Sequence, residues 1–311
     1  MTTHHESPFI HADQLPQLSL DIENLLVARN LRGMKQVQPA LTAGYLLRSA
    51  QLITSVLRTK ANPEQPPIVL IGTGFPVADT FETDGPVGAI ALYQSLTELG
   101  FNVFLVCANP LQQVLKLQYQ TLSLPEPSAT QQQVNEQIGA LLDSYQPDLI
   151  ISIERPGKAA DGKYYNMRKE DISSHCGRFD DLMSLCHCPT LAIGDGGNEI
   201  GMGNIQTDIA KLDIIPSVTQ ATELIIADVS NWGALGLIAL VDAITGSHTL
   251  EKINALDTLK FLSQHGSVDG VTRENTLTED GLEADQGLVL QQQILHTFST
   301  VRHTKGDQHE S

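Results

Sequence analysis

This sequence predicts an α/β protein: a mostly parallel sheet with helices on both faces, an N-terminal helical extension and a C-terminal elaboration. Three observations carry that expectation. Apolar runs of strand length stand at 68–72, 101–107, 148–153, 189–193 and 223–228, continuous rather than alternating, as in strands buried on both faces. Each run is followed by a segment with helical patterning, which is the alternation of a parallel sheet. Repeats with a period of roughly 20–50 residues, the mark of solenoids and propellers, are absent from the sequence.

Taken in chain order, residues 1–66 read as a helical segment that packs on the sheet rather than folding alone. It ends in a connector over 60–67 stiffened by Pro63, Pro66 and Pro67. The main α/β domain spans 67–300. Its helices are expected at 87–99, 111–117, 131–145, 178–186, 200–211, 231–245 and 287–300. After Gly246 the text turns polar and irregular, with turn signals at 265–270 and 279–281 before a last amphipathic helix. Residues 301–311 read as a frayed polar tail.

Composition narrows the function. The 311 residues carry 19 Lys plus Arg against 36 Asp plus Glu, a formal net charge of −17. A surface of that sign repels phosphate backbones and anionic lipid, so nucleic acid and membrane partners are not expected. With 41% hydrophobic and 18% charged residues, the balance is that of a globular protein. The longest apolar stretch, 233–241, is far short of the roughly 20 residues that span a bilayer. No secretory signal is visible at the start, which makes a cytoplasmic location the expectation. Four cysteines do not make a disulfide framework, and Cys186-His187-Cys188 ahead of Pro189 fits reduced thiols at a helix end better than a zinc site.

In open α/β sheets ligands bind beyond the carboxyl ends of the strands. Here those loops are acidic and glycine-rich. The loop after the first run holds Glu82 and Asp84, of which Asp84 alone could be an N-cap. The loop after 148–153 holds Glu154 and Asp161 beside Arg155, Lys158, Lys163 and Arg168, and the next holds Asp195, Asn198 and Glu199. A fourth adds Asp228 and the only tryptophan, Trp232. Carboxylates converging from three or four loops cannot all stay ionised without a cation. Oxygen ligands without a His or Cys cluster favour Mg or Mn over zinc. Some of these acids could instead cap helices or solvate loops, and Trp232 and the Tyr164-Tyr165 pair could serve as a core anchor and a loop fastening. Both glycine clusters, at 72–74 and 194–197, miss the dinucleotide fingerprint, and Walker, nucleophile-elbow and H-E-x-x-H motifs are absent from the sequence. The glycines suit close backbone approach to a small carboxylate or phosphate.

Several blocks then fall into register with a known family. Thr73-Gly74-Phe75-Pro76 with the 82–86 block, Ser152-Ile153-Glu154-Arg155 with 159–162 and 164–166, the ten residues 194–203, and Ser230-Asn231-Trp232-Gly233 together resemble the C-terminal domain of D-glutamate cyclases. The likeness runs in order from about residue 30 to about 295, and is loose after 265 except at Asp280-Gly281. It implies a lyase that closes D-glutamate to 5-oxo-D-proline with loss of water, with Mn or Mg as cofactor. The metal set it implies is Glu82, Asp84, Glu154, Asp195 and Glu199. Asp161, or an acid of that set such as Asp195 or Glu199, would take the ammonium proton. Arg155 and Lys158, with Thr73, Gly74 and Asn198, would hold an acidic amino acid. Eukaryotic cyclases carry an additional N-terminal domain with no counterpart here, so a separate partner chain could supply it; a homo-oligomer is the prior.

Two other readings compete. Clustered aspartates around Mn on a doubly wound sheet would also serve a phosphoesterase, and the same loops could belong to a non-catalytic sensor of acidic amino acids.

Overall fold

The computed structural model describes residues 10–59 and 64–303. The chain opens with α1 (Leu15–Leu26), the single turn α2 (Met34–Val37) and α3 (Tyr45–Thr59). The sheet begins at β1 (Ile68–Thr73), and the loop after it folds into a small hairpin of β2 (Pro76–Val77) and β3 (Thr80–Phe81). Then follow α4 (Pro86–Glu98), β4 (Asn102–Cys107), α5 (Leu111–Leu115), β5 (Thr121–Ser123), α6 (Gln131–Tyr145), β6 (Leu149–Ile153), α7 (Phe179–Leu185), β7 (Thr190–Gly194), α8 (Gln206–Ile209), β8 (Glu223–Ile226) and α9 (Ser230–Thr245). The chain closes with α10 (Ala255–Gln264), the pair β9 (Thr278–Glu279) and β10 (Leu282–Glu283), and α11 (Ala284–His303).

Six strands form one sheet in the order β5-β4-β1-β6-β7-β8, every pairing parallel. The strand order reverses between β1 and β6, so their carboxyl ends flank a crevice where connections leave in opposite directions.

Register shows why both faces are covered. Thr73, Ile153, Ile193 and Ile225 lie in one row across β1, β6, β7 and β8, and Gly72, Ser152, Ala192 and Leu224 in the row before it. Successive rows point to opposite faces. The first row meets α4 and α9, where Gly88 lies against Ile153 and Gly233 against Ile193. On the other face Gly72 lies against the ring of Phe179, the first residue of α7. That near-continuous burial is why the strands read as apolar runs.

The apolar stretch at 233–241 lies inside α9, which is buried all round between α1, α3, α4 and α11. No helix among the described residues is long and apolar enough to cross a membrane. Helices α1 and α3 pack on α9, and α3 also on β8. Buried Glu23 of α1 ties them together by accepting the amides of Gly44 (3.1 Å) and Leu46 (3.0 Å) at the start of α3, a side-chain substitute for the helix's missing acceptors.

Several local expectations change. β5 is a three-residue, half-exposed edge strand that the pattern at 101–107 did not foretell. The helix expected at 200–211 is broken into a 3-10 turn, Met202–Ile205, and the short α8. Gly201 at φ 97° prevents a continuous helix there. The polar region after Gly246 contains α10, capped by the Asn254 side chain on the amide of Asp257, and α11 starts three residues earlier than expected, at Ala284. Residues 60–63 of the proline connector and 304–311 of the tail lie outside the described residues.

Candidate functional site

Beyond the carboxyl ends of β1, β6 and β7 lies a cavity of about 640 Å³. Glu82, Glu154, Asp195, Asn198 and Glu199 line its floor, all but fully buried. Behind them sits Asp84, which is 1% exposed. Ligand oxygens of Asp84, Glu154 and Asp195 lie within 4.8 Å of one another.

Each acid reaches this point through its own backbone. Asp84 follows the β2–β3 hairpin, and its carboxylate accepts the amides of Ser230 (2.8 Å) and Asn231 (2.7 Å) at the first turn of α9. It therefore caps a helix other than the one it precedes. Gly85, at φ 89°, lets the chain turn into α4 at once; a Cβ there would meet Glu154 Cβ at 2.6 Å. Glu154 follows β6 with φ 46°, a strained conformation for a non-glycine residue, and accepts the Ser230 hydroxyl. Asp195 follows β7. Glu199 turns back onto its own loop, accepting the amides of Gly196 (2.9 Å) and Gly197 (2.7 Å).

Burial pushes the carboxyls of Glu82, Asp84, Glu154, Asp195 and Glu199 above their ordinary range. Repulsion adds to it: Asp280 and Asp84 act on Glu82, and Glu199, Asp84 and Glu82 on Glu154. Arg32 opposes the rise at Asp195. Glu279, next to Asp280 in the chain, is pushed up to about 7 by burial, against the amide of Asn231.

The resemblance's substrate set is split. Asn198 is on the cavity wall; its Nδ2 donates to the Tyr165 carbonyl (2.9 Å), leaving its buried Oδ1 without a partner. Arg155, Thr73 and Gly74 lie elsewhere. The Arg155 guanidinium is buried and donates to the carbonyls of Thr73 (3.3 Å), Gly74 (2.8 Å) and Gly177, which places all three around a separate, much smaller cavity. Lys158 is paired with Asp181 at 2.8 Å. Asp161 is fully exposed and accepts the Tyr165 hydroxyl (2.6 Å), so it does not reach the cavity. Asp228 also turns away, accepting the amides of Arg29 (2.7 Å) and Leu31 (3.2 Å). Tyr164 fastens its loop by donating to Asp180 (2.5 Å), and Trp232 is buried under the Arg29 guanidinium, 5.1 Å from its ring centre. The thiols of 186 and 188 are free, and no group of three metal-ligating side chains among the described residues includes either.

Sequence reasoning did not name Arg32 or Arg273 and gave no site role to Asn231 or Arg168. Arg32, between α1 and α2, donates through Nη2 to both Asp195 and Asp280. Asn231 accepts the amides of Gly85 (2.8 Å) and Gly88 (2.7 Å) and donates to Glu279 (2.7 Å). Arg168 and Arg273 stand on the cavity wall. The turn signal at 279–281 marked the neighbourhood of Asp280, but no spacing rule ties Arg32 to acids more than 150 residues later.

A carboxylate trio with no histidine or thiol fits a hard divalent ion. The raised proton affinity of the group and the orphaned Asn198 Oδ1 fit a site whose balance is completed by something bound.

Comparison with known proteins follows the same residues. Residues 22–295 match the family described as "D-glutamate cyclase-like, C-terminal". Over 235 residues the chain is 32% identical to the human (Homo sapiens) protein named "D-glutamate cyclase, mitochondrial", covering 67% of this chain and 38% of that protein. The chain thus spans well under half the length of that relative. Among solved structures it is similar to an exopolyphosphatase-related protein from Bacteroides fragilis, at 9% identity and a TM-score of 0.34 over 81% of this chain and 58% of that one; so low a score carries no argument.

Proposed function

Because this chain belongs to the D-glutamate cyclase-like family, we propose that it is a lyase that closes D-glutamate to 5-oxo-D-proline and water at the cavity beyond β1, β6 and β7. The observation that carries this reading is the buried trio Asp84, Glu154 and Asp195 at the reversal of the strand order. These three would hold Mn or Mg. A divalent ion bound there would act as a Lewis acid on the γ-carboxylate, which is otherwise a poor electrophile.

The rest falls to the chain's own side chains. The α-nitrogen bonds to the γ-carbon, one γ-oxygen departs, and two protons pass from nitrogen to that oxygen as water forms. Glu82 suits this transfer: it lines the cavity, and burial and its acidic neighbours push its carboxyl well above the ordinary range, toward holding a proton. Glu199 has both oxygens committed to backbone amides, so it fixes the 194–203 loop. Arg168, which meets the Val271 carbonyl (3.1 Å), and Arg273, paired with exposed Glu170 (2.9 Å), would turn remaining donors on the wall to the substrate's α-carboxylate. Holding the chain of glutamate folded back would remove much of the barrier to an intramolecular attack.

The decisive experiment incubates chelator-stripped protein with D- or L-glutamate, with and without Mn, and follows 5-oxoproline by chiral chromatography. Metal-dependent product from the D isomer is expected. Its absence under all conditions would remove the cyclase reading and leave the phosphoesterase and sensor readings.

A further inference from the structure

We propose that Arg32 occupies the cation seat of this site when no metal is bound, and that it gives up Asp195 but keeps Asp280 when a divalent ion enters. The inference rests on the metal reading above and deepens it.

The anchorage of Arg32 is firm on both sides. Asp228 holds the amides of Arg29 and Leu31, the Arg29 guanidinium lies over Trp232, and Gly33 packs against Leu212. What is left free to move is the Arg32 side chain, which crosses from the N-terminal segment into the acid cluster.

Its contacts are those of a counter-ion rather than a finished structural ion pair. A guanidinium usually meets a carboxylate with two parallel N–H donors. Here one nitrogen, Nη2, serves Asp195, Asp280 and, at 3.4 Å, the Asp228 carbonyl. The buried Nε meanwhile has no partner. Donor capacity is thus unspent on one edge while three acceptors crowd the other.

Asp195 belongs to two sets at once. It pairs with Arg32, and its oxygen lies within 4.8 Å of those of Asp84 and Glu154. A guanidinium and a divalent ion on the same carboxylate repel each other, so the ion must compete for Asp195. Asp280 is outside the trio and can retain the arginine. Turned toward Asp280, the guanidinium would bring its unused N–H edge round. The structure needs such a cation, because without one the buried carboxylates face each other uncompensated.

The test titrates Mn(II) into metal-stripped wild-type, R32Q and R32K protein at pH 8, by calorimetry and by the loss of free Mn(II) signal in electron paramagnetic resonance. If Arg32 competes, R32Q binds Mn(II) roughly 10- to 100-fold more tightly, the worth of one charge-assisted hydrogen bond. Metal-free R32Q also melts below metal-free wild type and recovers when saturated with Mn(II). Wild-type binding with equal or weaker binding by R32Q overturns the proposal. Absence of binding by both proteins overturns the metal reading itself, and this inference with it. Should R32Q not fold without metal, R32K decides, since lysine keeps the charge but lacks the fork: tighter binding than wild type supports the exchange and unchanged binding overturns it.

Discussion

Asp84 and Asn231 cap each other's helices. The Asp84 carboxylate accepts the amides of Ser230 and Asn231 at the start of α9, while the Asn231 side chain accepts those of Gly85 and Gly88 at the start of α4. Two helices that pack along their lengths are thereby locked at the point where the acid cluster begins. The same Asn231 amide donates to Glu279, so the lock extends to the β9–β10 pair.

Asn231→Ala should therefore cost more than an ordinary cap. It strands the buried Gly88 amide, leaves the Gly85 amide to Asp84 alone and removes a donor from the Glu279 carboxyl; the expected destabilisation is about 1–3 kcal/mol, measured by denaturant unfolding in chelator. Mn affinity should fall as well, because Asp84 loses the geometry of the helix start it rests on. A variant of wild-type stability would show that the reciprocal cap contributes nothing.

Glu154→Gln separates metal binding from folding. Glutamine can still accept the Ser230 hydroxyl, but it removes a buried carboxylate that Glu199, Asp84 and Glu82 repel. At pH 8 the metal-free variant should melt higher than wild type, gain no stability from Mn, and lose cyclase activity by roughly a hundredfold or more, because losing the ion removes several kcal/mol of Lewis-acid stabilisation. Thermal unfolding with and without Mn reads the first two effects, and product chromatography the third.

The pH dependence follows from the direction of these shifts. Glu279 is raised from 4.5 to about 7 on folding, and the five site acids are raised too. In that window the folded state binds more protons than the unfolded chain, so stability falls as pH rises. The contribution is fully present below about pH 4.5 and is lost as pH climbs through 7 and beyond. In chelator the melting temperature should drop from pH 5 to pH 8, and saturating Mn should flatten the profile at its upper end. A metal-free melting temperature that rises over this range would contradict a cluster whose buried carboxyls outnumber the cation paired with them, Arg32.

How much of this was legible depended on what kind of signal each residue leaves. Strands buried on both faces leave apolar runs, so β1, β4, β6, β7 and β8 could be read, and the acids just after them inherit a place at one rim from the parallel order alone. β5 could not be read, because three half-exposed residues at an edge carry no pattern. Arg155 and Lys158 stand in the right loop, but the sequence does not record which way a side chain turns: buried carbonyls of Thr73, Gly74 and Gly177 and the carboxylate of Asp181 claim them. Arg32 was invisible, and Asn231 and Asp280 were visible only as members of the family blocks, for the opposite reason. No local pattern assigns their partners, because they act through contacts made across the whole chain.

That distinction predicts a division among the arginines. Arg168→Gln and Arg273→Gln should raise KM for D-glutamate roughly tenfold, the worth of a hydrogen bond to a charged group, with smaller changes in kcat and unchanged melting. Arg155→Met should instead lower stability, since it removes the guanidinium that serves the Thr73, Gly74 and Gly177 carbonyls, of which Gly177 keeps the Phe179 amide. Steady-state kinetics beside thermal unfolding tell the two groups apart. A KM effect confined to Arg155 would return the substrate carboxylate to the small cavity around Thr73 and Gly74.

Gly270 gives the most local test of Glu82 as the proton carrier. A Cβ at Gly270 would stand 2.1 Å from Glu82 Oε2, and the end of a glutamate side chain can swing away without disturbing backbone. Gly270→Ala should thus leave the fold within about 1 kcal/mol of wild type, as small clashes with mobile groups do. It should lower kcat while sparing Mn affinity, because the atoms nearest the new methyl group belong to Glu82 and Asp280 rather than to the trio. Glu82→Gln should lower kcat in the same direction and further, since it removes the titrating group rather than displacing it. If both variants turn over at the wild-type rate, the protons travel by another carboxyl of the cluster, and Glu82 is only part of its charge.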